Sequence, residues 1–434
     1  VWQGSYELTL NQWGVGHGGF HSQSLFFRRH LRAPRRPLGA GSMLRLIYDC
    51  GSGRGVTPKP ALADAVARML RDIPEGSTID LLVISHFDRD HVNGLDHLAA
   101  ELKKRHIGVS RVWAPVLSKL EALYAMTSSD DAGGASGTYD SLLLDPTGRL
   151  TELFAGAEVS MIRADGEPIP LPPTSRDPAD AEEDIDGDEV LLEPAPTGRG
   201  LVARRGGAAK REVLWEIQPY VIPSVLEGAA NVKAAVRRVT GKGVADCTID
   251  ELVALAGDAM LRKDFHDAVL AHHRGLSRTT RRSSARTGSN LSSLCVYSGP
   301  ASPYEWCHFR NGWLPLAVTP TAIPIAPAWL GTGDAGLLRP QDVDGLRVAL
   351  TTHRLDRVGI TSAPHHGSRL DSSAQFWDSL PNVRRVTIQA HNAHGGTGNA
   401  HPHSHVLSEL SGRNLEVHIC TDQNDFCWRD RRIR

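Results

Sequence analysis

Four metal-type donors stand within six positions of one another, His86, Asp88, Asp90 and His91. Each offers a lone pair that a divalent cation accepts. Leu81-Leu82-Val83-Ile84 precedes them and reads as a buried strand. On extended backbone alternate residues share a face, so His86, Asp88 and Asp90 point one way and Phe87 and Arg89 the other. His91 follows at the bend and can join Asp90. One short loop can therefore supply two ligands to one cation and two to a neighbour. Imidazoles and carboxylates at the edge of a core are costly to leave unpaired, and a cation is their natural partner.

Other stretches carry donors of the same kind. Gly14-Val15-Gly16-His17-Gly18-Gly19-Phe20-His21 joins two expected strands, and its glycines permit close approach of backbone to a ligand. Leu44 to Tyr48 reads as a strand ending in Asp49. Ala328-Trp329-Leu330-Gly331-Thr332-Gly333-Asp334 ends in a turn that presents a carboxylate. Val358 to Thr361 leads into His365-His366-Gly367-Ser368. Neighbouring residues on a strand face opposite ways, so His365 and His366 share a role only if the chain bends there. A last cluster holds His391, His394, His401, His403 and His405.

The first loop resembles the H-x-H-x-D-H metal signature of the metallo-β-lactamase fold, with Asp88 in place of the second histidine. That variant is similar to the hydrolase domain of ComEC-type competence proteins and their soluble relatives. The Gly14–Ser22 stretch resembles their V-G-Q-G-D-S turn, with His17 for Gln, and Asp49 falls in their D-x-G turn. Asn290-Leu291-Ser292-Ser293-Leu294 resembles their N-x-x-S-L strand, Thr332-Gly333-Asp334 their T-G-D turn, and His365-His366-Gly367-Ser368 their H-H-G-S element. Asn399-Ala400-His401-Pro402-His403 resembles their G-H-P-H segment, with Ala400 for Gly.

The resemblance implies an αββα sandwich and two divalent metal ions. The implied ligands are His86, Asp88, Asp90, His91, Asp334 and His365, with Asp334 bridging. Asp49 braces the ligating imidazoles. Asp90, His366 and His401 are the catalytic candidates. His17, Ser368 and His403 are expected to line the substrate. Which of His365 and His366 ligates stays open. The oxygen donor of Asp88 moves the preference from zinc towards manganese or a mixed pair.

These groups must be positioned by a large scaffold. The chain has 434 residues, 41% hydrophobic, with net charge −1, so overall charge selects neither nucleic acid nor membrane as partner. Strand, strand, helix (Ala61 to Arg71), strand and ligand loop give one half of an αββα sandwich, 1–116. A second half is expected over 289–434, ending in a strand at Leu415 to Cys420 and a basic tail. Between them, 117–288 reads as a large, partly helical insertion or cap. It holds an acidic run around Asp184, Asp186 and Asp188, in which Glu189 stands where a calcium loop needs glycine. It also holds basic runs at Arg199–Arg211 and Arg274–Arg286, a candidate path for phosphates or a surface for a protein partner. The six cysteines show no metal or disulfide spacing and read as free thiols. No apolar run reaches about eighteen residues and the start lacks a leader pattern, so a cytoplasmic chain is expected.

The chemistry expected is metal-dependent hydrolysis, since paired cations activate water and polarise the bond to be cut. The ComEC likeness implies phosphodiester hydrolysis of DNA, RNA or a nucleotide. Small substrates such as cyclic nucleotides, lactones or thioesters are the alternative, and a non-catalytic partner-binding module is a third. The fold alone does not choose among them.

Overall fold

Leu81 and Val83 face one apolar layer and Leu82, between them, faces another, as the period-two geometry of a strand requires. The computed structural model describes residues 4–29, 42–53, 55, 57–127, 137–163, 168–169, 190–197, 199–205, 212–224, 229–257, 292–301, 307–308, 328–391, 396 and 401–433.

The first part of the chain runs through β1 (Gly4–Gln12), β2 (His21–Arg29), β3 (Ser42–Tyr48), α1 (Pro60–Arg71), β4 (Thr78–Ile79) and β5 (Leu81–Val83). The ligand loop follows, with a single-turn helix α2 (Arg89–Val92) and then α3 (Leu95–Lys104). Next come β6 (Gly108–Val109), β7 (Arg111–Pro115), α4 (Lys119–Thr127), α5 (Gly137–Leu144), α6 (Pro146–Leu153), β8 (Glu158–Ile162) and β9 (Pro168–Ile169). After β10 (Val190–Pro194), β11 (Leu201–Arg205) and β12 (Glu212–Ile222) stand α7 (Ala229–Thr240) and α8 (Ile249–Gly257). The last part holds β13 (Ser293–Pro300), β14 (Cys307–His308), β15 (Ala328–Gly331), α9 (Pro340–Leu355), β16 (Val358–Ser362), α10 (Ala374–Asp378), β17 (Arg385–Gln389), α11 (Ser404–Gly412), β18 (Glu416–Cys420) and β19 (Phe426–Ile433).

Two large sheets result. One runs in the order β14-β19-β1-β2-β3-β5-β7-β8-β9 and the other β10-β11-β12-β13-β15-β16-β17-β18. Three apolar clusters define four layers. Leu46, Val83, Trp215 and Val296 fill the space between the sheets. Val66, Leu98, Leu142 and Leu252 cover the outer face of the first sheet. Leu346, Phe376, Trp377 and Leu410 cover the outer face of the second. The architecture is the αββα sandwich expected.

The stretch 117–288 differs from the expectation of an insertion. Its described residues are woven into both sheets. β8 lies parallel to β7 in the first sheet, and β12 pairs antiparallel with β13 from Trp215↔Pro300 to Ile222↔Ser293 in the second. The physical reason is burial: Leu214, Trp215, Ile217 and Val221 are apolar side chains that the sandwich interior absorbs. The acidic run 181–189 and the basic run from Arg274 to Arg286 lie outside the described residues. The basic tail is a strand too, because β19 pairs with β1 along its length. Cys50, Cys247, Cys295, Cys420 and Cys427 are free, as expected. Among the described residues no helix is long and apolar enough to cross a membrane.

The two sheets are locked behind the ligand loop by aromatic contacts. His21 on β2 stacks on Trp329 of β15 at 4.1 Å and an interplanar angle of 2°. Tyr48 meets the same indole edge-on at 5.3 Å and donates its hydroxyl to the carbonyl of Leu294 at 2.8 Å. Such aromatic pairs contribute about 0.5–1.5 kcal/mol beyond their burial.

His21 makes stability depend on pH. It is buried, neither ring nitrogen has a hydrogen-bond partner, and burial pulls its pKa down to about 3. The unfolded value is about 6.5, so the unfolded chain takes the proton first as pH falls. The contribution is full above about pH 6.5 and is lost towards pH 3, at about 1.4 kcal/mol per pH unit. His21→Phe keeps the stack and removes the titration. Urea unfolding at pH 7 and pH 5 should show a wild-type loss greater than the variant's by about 2 kcal/mol. Equal losses would contradict this account.

Candidate metal centre

The functional side chains gather where strands of both sheets end. Asp49 follows β3, Ser85 and His86 follow β5, Asp334 follows β15, and His365 and His366 follow β16. In the first sheet β3, β5, β7 and β8 run parallel, and in the second β15, β16, β17 and β18 do. Their carboxyl ends therefore open on the same edge, the usual place for a site in such sheets.

The Asp334 carboxylate sits at the centre. Its Oδ2 lies 3.5 Å from His86 Nε2 and 3.4 Å from His365 Nε2. Its Oδ1 lies 3.3 Å from His91 Nε2 and 3.6 Å from His366 Nε2. Asp88 Oδ2 is 3.5 Å from His86 Nε2, which completes the first group. Asp90 Oδ2 is 3.4 Å from His366 Nε2 and 3.3 Å from His17 Nε2, which completes the second. The ligand atoms of His17, Asp90 and His366 lie within 4.8 Å of one another, as do those of His86, His91 and Asp334.

Four imidazoles are held in one orientation by their far nitrogens. His91 Nδ1 donates to Asp49 Oδ2 at 2.8 Å, His365 Nδ1 to Asp371 Oδ2 at 2.7 Å and His366 Nδ1 to the Gln389 carbonyl at 2.9 Å. His86 Nδ1 is 2.9 Å from Ser85 Oγ, which in turn donates to Asp49 Oδ2 at 2.6 Å. This network puts each proton on Nδ1 and turns each Nε2 inward, the arrangement of metal-ligating histidines. His86 Nε2 and Asp334 Oδ1 are buried and make no hydrogen bond. The donor set thus fits divalent cations.

The electrostatics agree. Burial favours neutral carboxyls, yet the surrounding imidazoles outweigh it, hydrogen-bonded His366 foremost at Asp90 and the charge of His365 at Asp334, and both stay well below the usual carboxylate range. Burial and His91 push His86 down, but Asp334 and Asp88 outweigh them and its pKa ends at about 9. Burial is likewise outweighed at His365 by Asp334 and Asp371, giving about 10. His17 is pulled down to about 2 by burial and His366, and His401 to about 4 by burial, His365 and His366. Without cations the central carboxylates hold protons on the imidazoles, and cations compete for the same places.

Local backbone explains how the groups fit. His365 and His366 both have positive φ, 44° and 53°, in a short 3₁₀ turn. The chain bends there, so the two side chains serve different groups around Asp334, and the choice left open between them resolves to both facing the cluster. Gly333 has φ 50°, and a Cβ on it would lie 2.7 Å from the Ser85 side chain. A Cβ on Gly19 would come within 2.5 Å of His91 Nδ1. The glycines let the two sheets close on the ligands.

The structure brings every expected metal ligand into this cluster, and Asp49 contacts His91 and Ser85. His17, expected at the substrate, faces Asp90 and His366 among the ligand atoms. His401 stands beside it, with ring centroids 5.1 Å from His365 and 5.8 Å from His17. Ser368 and His403 each have a local partner. Ser368 is buried and its Oγ accepts from Leu370 N at 3.2 Å. His403 caps α11, its Nδ1 accepting from His405 N at 3.1 Å. Both are occupied with holding local turns. His391 is exposed near Lys59 Nζ, at 3.4 Å, and His405 is exposed. His394 lies outside the described residues. Ser85, Asp371 and the Gln389 carbonyl were not read from sequence. Ser85 adjoins His86 and could have been suspected; Asp371 and Gln389 reach the site only through the fold.

No protein-family model matches the chain, and no curated protein matches it. Among solved structures it is similar to the metallo-beta-lactamase fold protein YhfI from Bacillus subtilis, with TM-score 0.36 and 9% identity over 98% of this chain and 99% of that one. A long form RNase Z from yeast gives TM-score 0.33 and 8% identity, over 97% of this chain and 41% of that one. A diphosphatase from the PhnP family gives 0.32 and 11%, over 97% of each chain.

Three predictions test the centre. His365→Gln and His366→Gln should each lower tightly held metal from two ions per chain to one, read by elemental analysis after dialysis against manganese or zinc. Retention of both ions by both variants would refute the two-group geometry. Asp371→Asn should weaken metal affinity by about 10–100-fold through loss of His365 orientation. Affinity should also rise with pH up to about 9–10, because the raised values of His86 and His365 mean that protons must leave before the cation binds. Metal titration in weak buffer should therefore release protons.

Proposed function

We propose that the chain is a metal-dependent hydrolase, acting on phosphodiesters of DNA, RNA or nucleotides. The observation that supports this best is the inward convergence of four Nε2 atoms and three carboxylates on two adjoining groups that share Asp334. Zinc or manganese ions held there, by His86, Asp88 and His365 on one side and Asp90, His91, His366 and His17 on the other, would activate water and polarise a phosphoryl oxygen.

The chain's own residues do the rest. Asp334 spans both groups and fixes their separation. Asp49 and Asp371 hold imidazoles in place, so that little rearrangement is needed at the moment of reaction. His401 stands at the mouth beside His17 and His365, with a buried Nδ1 that makes no hydrogen bond. It is placed to contact a substrate oxygen, and burial beside His365 and His366 keeps its ring neutral at pH 7. Asp88 is the most exposed carboxylate of the set, at 38%, and marks the side open to substrate. The sandwich body excludes water from the other sides.

Asp90→Asn keeps shape and removes a charge from the second group. Activity towards a chromogenic phosphodiester, single- or double-stranded DNA, or RNA should fall by several orders of magnitude. The fold should survive, because Leu81, Val83 and Ile84 build the core and the ligands do not. Metal-free variant should melt no lower than metal-free wild type, since repulsion among carboxylates eases. The rise in melting temperature on adding metal should largely vanish. Full activity of the variant on the best of these substrates would end this reading.

A further inference from the structure

Gln389 joins two parts of the second ligand group that come from different sheets. His366 follows β16 of one sheet, and His17 lies between β1 and β2 of the other. The Gln389 carbonyl, at the carboxyl end of β17, accepts from His366 Nδ1 at 2.9 Å. Its side-chain amide enters the neck of the loop that carries His17. That loop is closed where Trp13 N donates to the Phe20 carbonyl at 3.0 Å. Gln389 Oε1 accepts from Phe20 N at 3.2 Å. Its Nε2 donates to the Trp13 carbonyl at 2.9 Å and to the Phe20 carbonyl at 3.3 Å.

The chemistry of the neck selects this side chain. An N–H and two carbonyls face it, so the group that meets them must accept and donate at once, as a primary amide does. A carboxylate would set oxygen against the two carbonyl oxygens. An apolar end would take this partner away from backbone groups of Trp13 and Phe20, both buried.

His17 stands at the far end of the same loop. Its ring centroid lies 4.0 Å from that of His366, and its Nε2 lies 3.3 Å from Asp90 Oδ2. Other anchors hold the loop to its own sheet and to the ligand loop. Gly14 N donates to Asp425 Oδ1, just before β19, at 2.6 Å. Gly53 N donates to the His17 carbonyl at 2.5 Å, and Gly19 N to the Asp90 carbonyl at 2.9 Å. None of these three reaches the sheet that carries His366. The Gln389 amide does, with a longer 3.4 Å contact from the Thr387 hydroxyl to Gln12 Oε1 beside it.

We propose that Gln389 is a positioning residue for the second ligand group, its side chain placing His17 and its carbonyl placing His366 at one fixed separation. The inference rests on the reading of two adjoining cation sites. It implies that the affinity of the second site depends on this side chain and that of the first does not. By reciprocity, a cation in the second group steadies the neck of the loop.

The test uses two backgrounds in the full-length chain, each expected to retain one ion. His365→Gln leaves the ion of the second group, and His366→Gln that of the first. Gln389→Met, which keeps length and removes donor and acceptor, is added to each. Zinc affinity is read by competition with a chromophoric chelator. In the His365→Gln background the remaining ion should bind about 10–100-fold more weakly, the range for loss of a group that orients ligands. In the His366→Gln background the affinity should stay as it was, whereas a merely structural defect would lower both. Gln389→Glu keeps the acceptor and loses the donors, and it should reproduce the selective loss. Melting temperatures of the metal-free proteins are the check on folding. Zinc added to the His365→Gln background should also slow amide hydrogen exchange at residues 13–20, and Gln389→Met should remove most of that slowing. Equal losses of affinity in both backgrounds, or none in either, overturn the inference while leaving two cation sites. If either background takes up no ion, the two-site reading itself falls, and the inference with it.

Discussion

A buried carboxylate surrounded by imidazoles sets the terms for the whole structure. Asp334 is 5% exposed, and four histidine nitrogens from two loops stand within 3.6 Å of its two oxygens. Charge at that depth is tolerated only when compensated. Protons can serve, as the raised values of His86 and His365 show, but cations serve better because they satisfy several donors at once. The bracing hydrogen bonds of Asp49, Ser85, Asp371 and Gln389 have the same purpose. They point the lone pairs inward and so make the inward charge unavoidable.

The scaffold follows from this demand. No single sheet edge could surround a carboxylate on enough sides. The first sheet contributes the loop after β5, and the second contributes the ends of β15 and β16. The interior aromatics then fix the angle at which the sheets meet. The stack of His21 on Trp329 and the hydrogen bond from Tyr48 to the Leu294 carbonyl lie directly behind the ligands. Tight backbone at Gly19 and Gly333 removes the side chains that would hold the sheets apart.

How much of this the sequence revealed depended on range. The ligand loop was legible because strand, donors, turn and helix follow one another within residues 81–102, and local periodicity reports local structure. β1, β2, β3 and α1 were legible for the same reason. The membership of β10, β11 and β12 in the second sheet was not, since Val213 to Val221 shows that a strand exists and nothing in it names a partner. β19 was hidden by its arginines, although Phe426 and Asp430 in it are buried. The two histidines at 365 and 366 looked mutually exclusive on extended backbone, and consecutive left-handed residues are not readable from a single sequence. Ser368 and His403 also take part in a turn and a helix cap, which no local pattern announces. Asp371 had no local pattern and acquired its meaning from the fold.

The left-handed pair at His365 and His366 has a consequence for how this protein can change over time. Two non-glycine residues with positive φ are strained, and together they aim one imidazole to each side of Asp334. Removing or adding one residue there would rotate both rings away from the cluster at once. Substitution by glycine would ease the backbone and delete a donor. The dipeptide is therefore a joint that point substitution can barely improve and length variation cannot pass through. Drift in this chain must be sought elsewhere, in the lengths of loops remote from the edge where the two sheets meet.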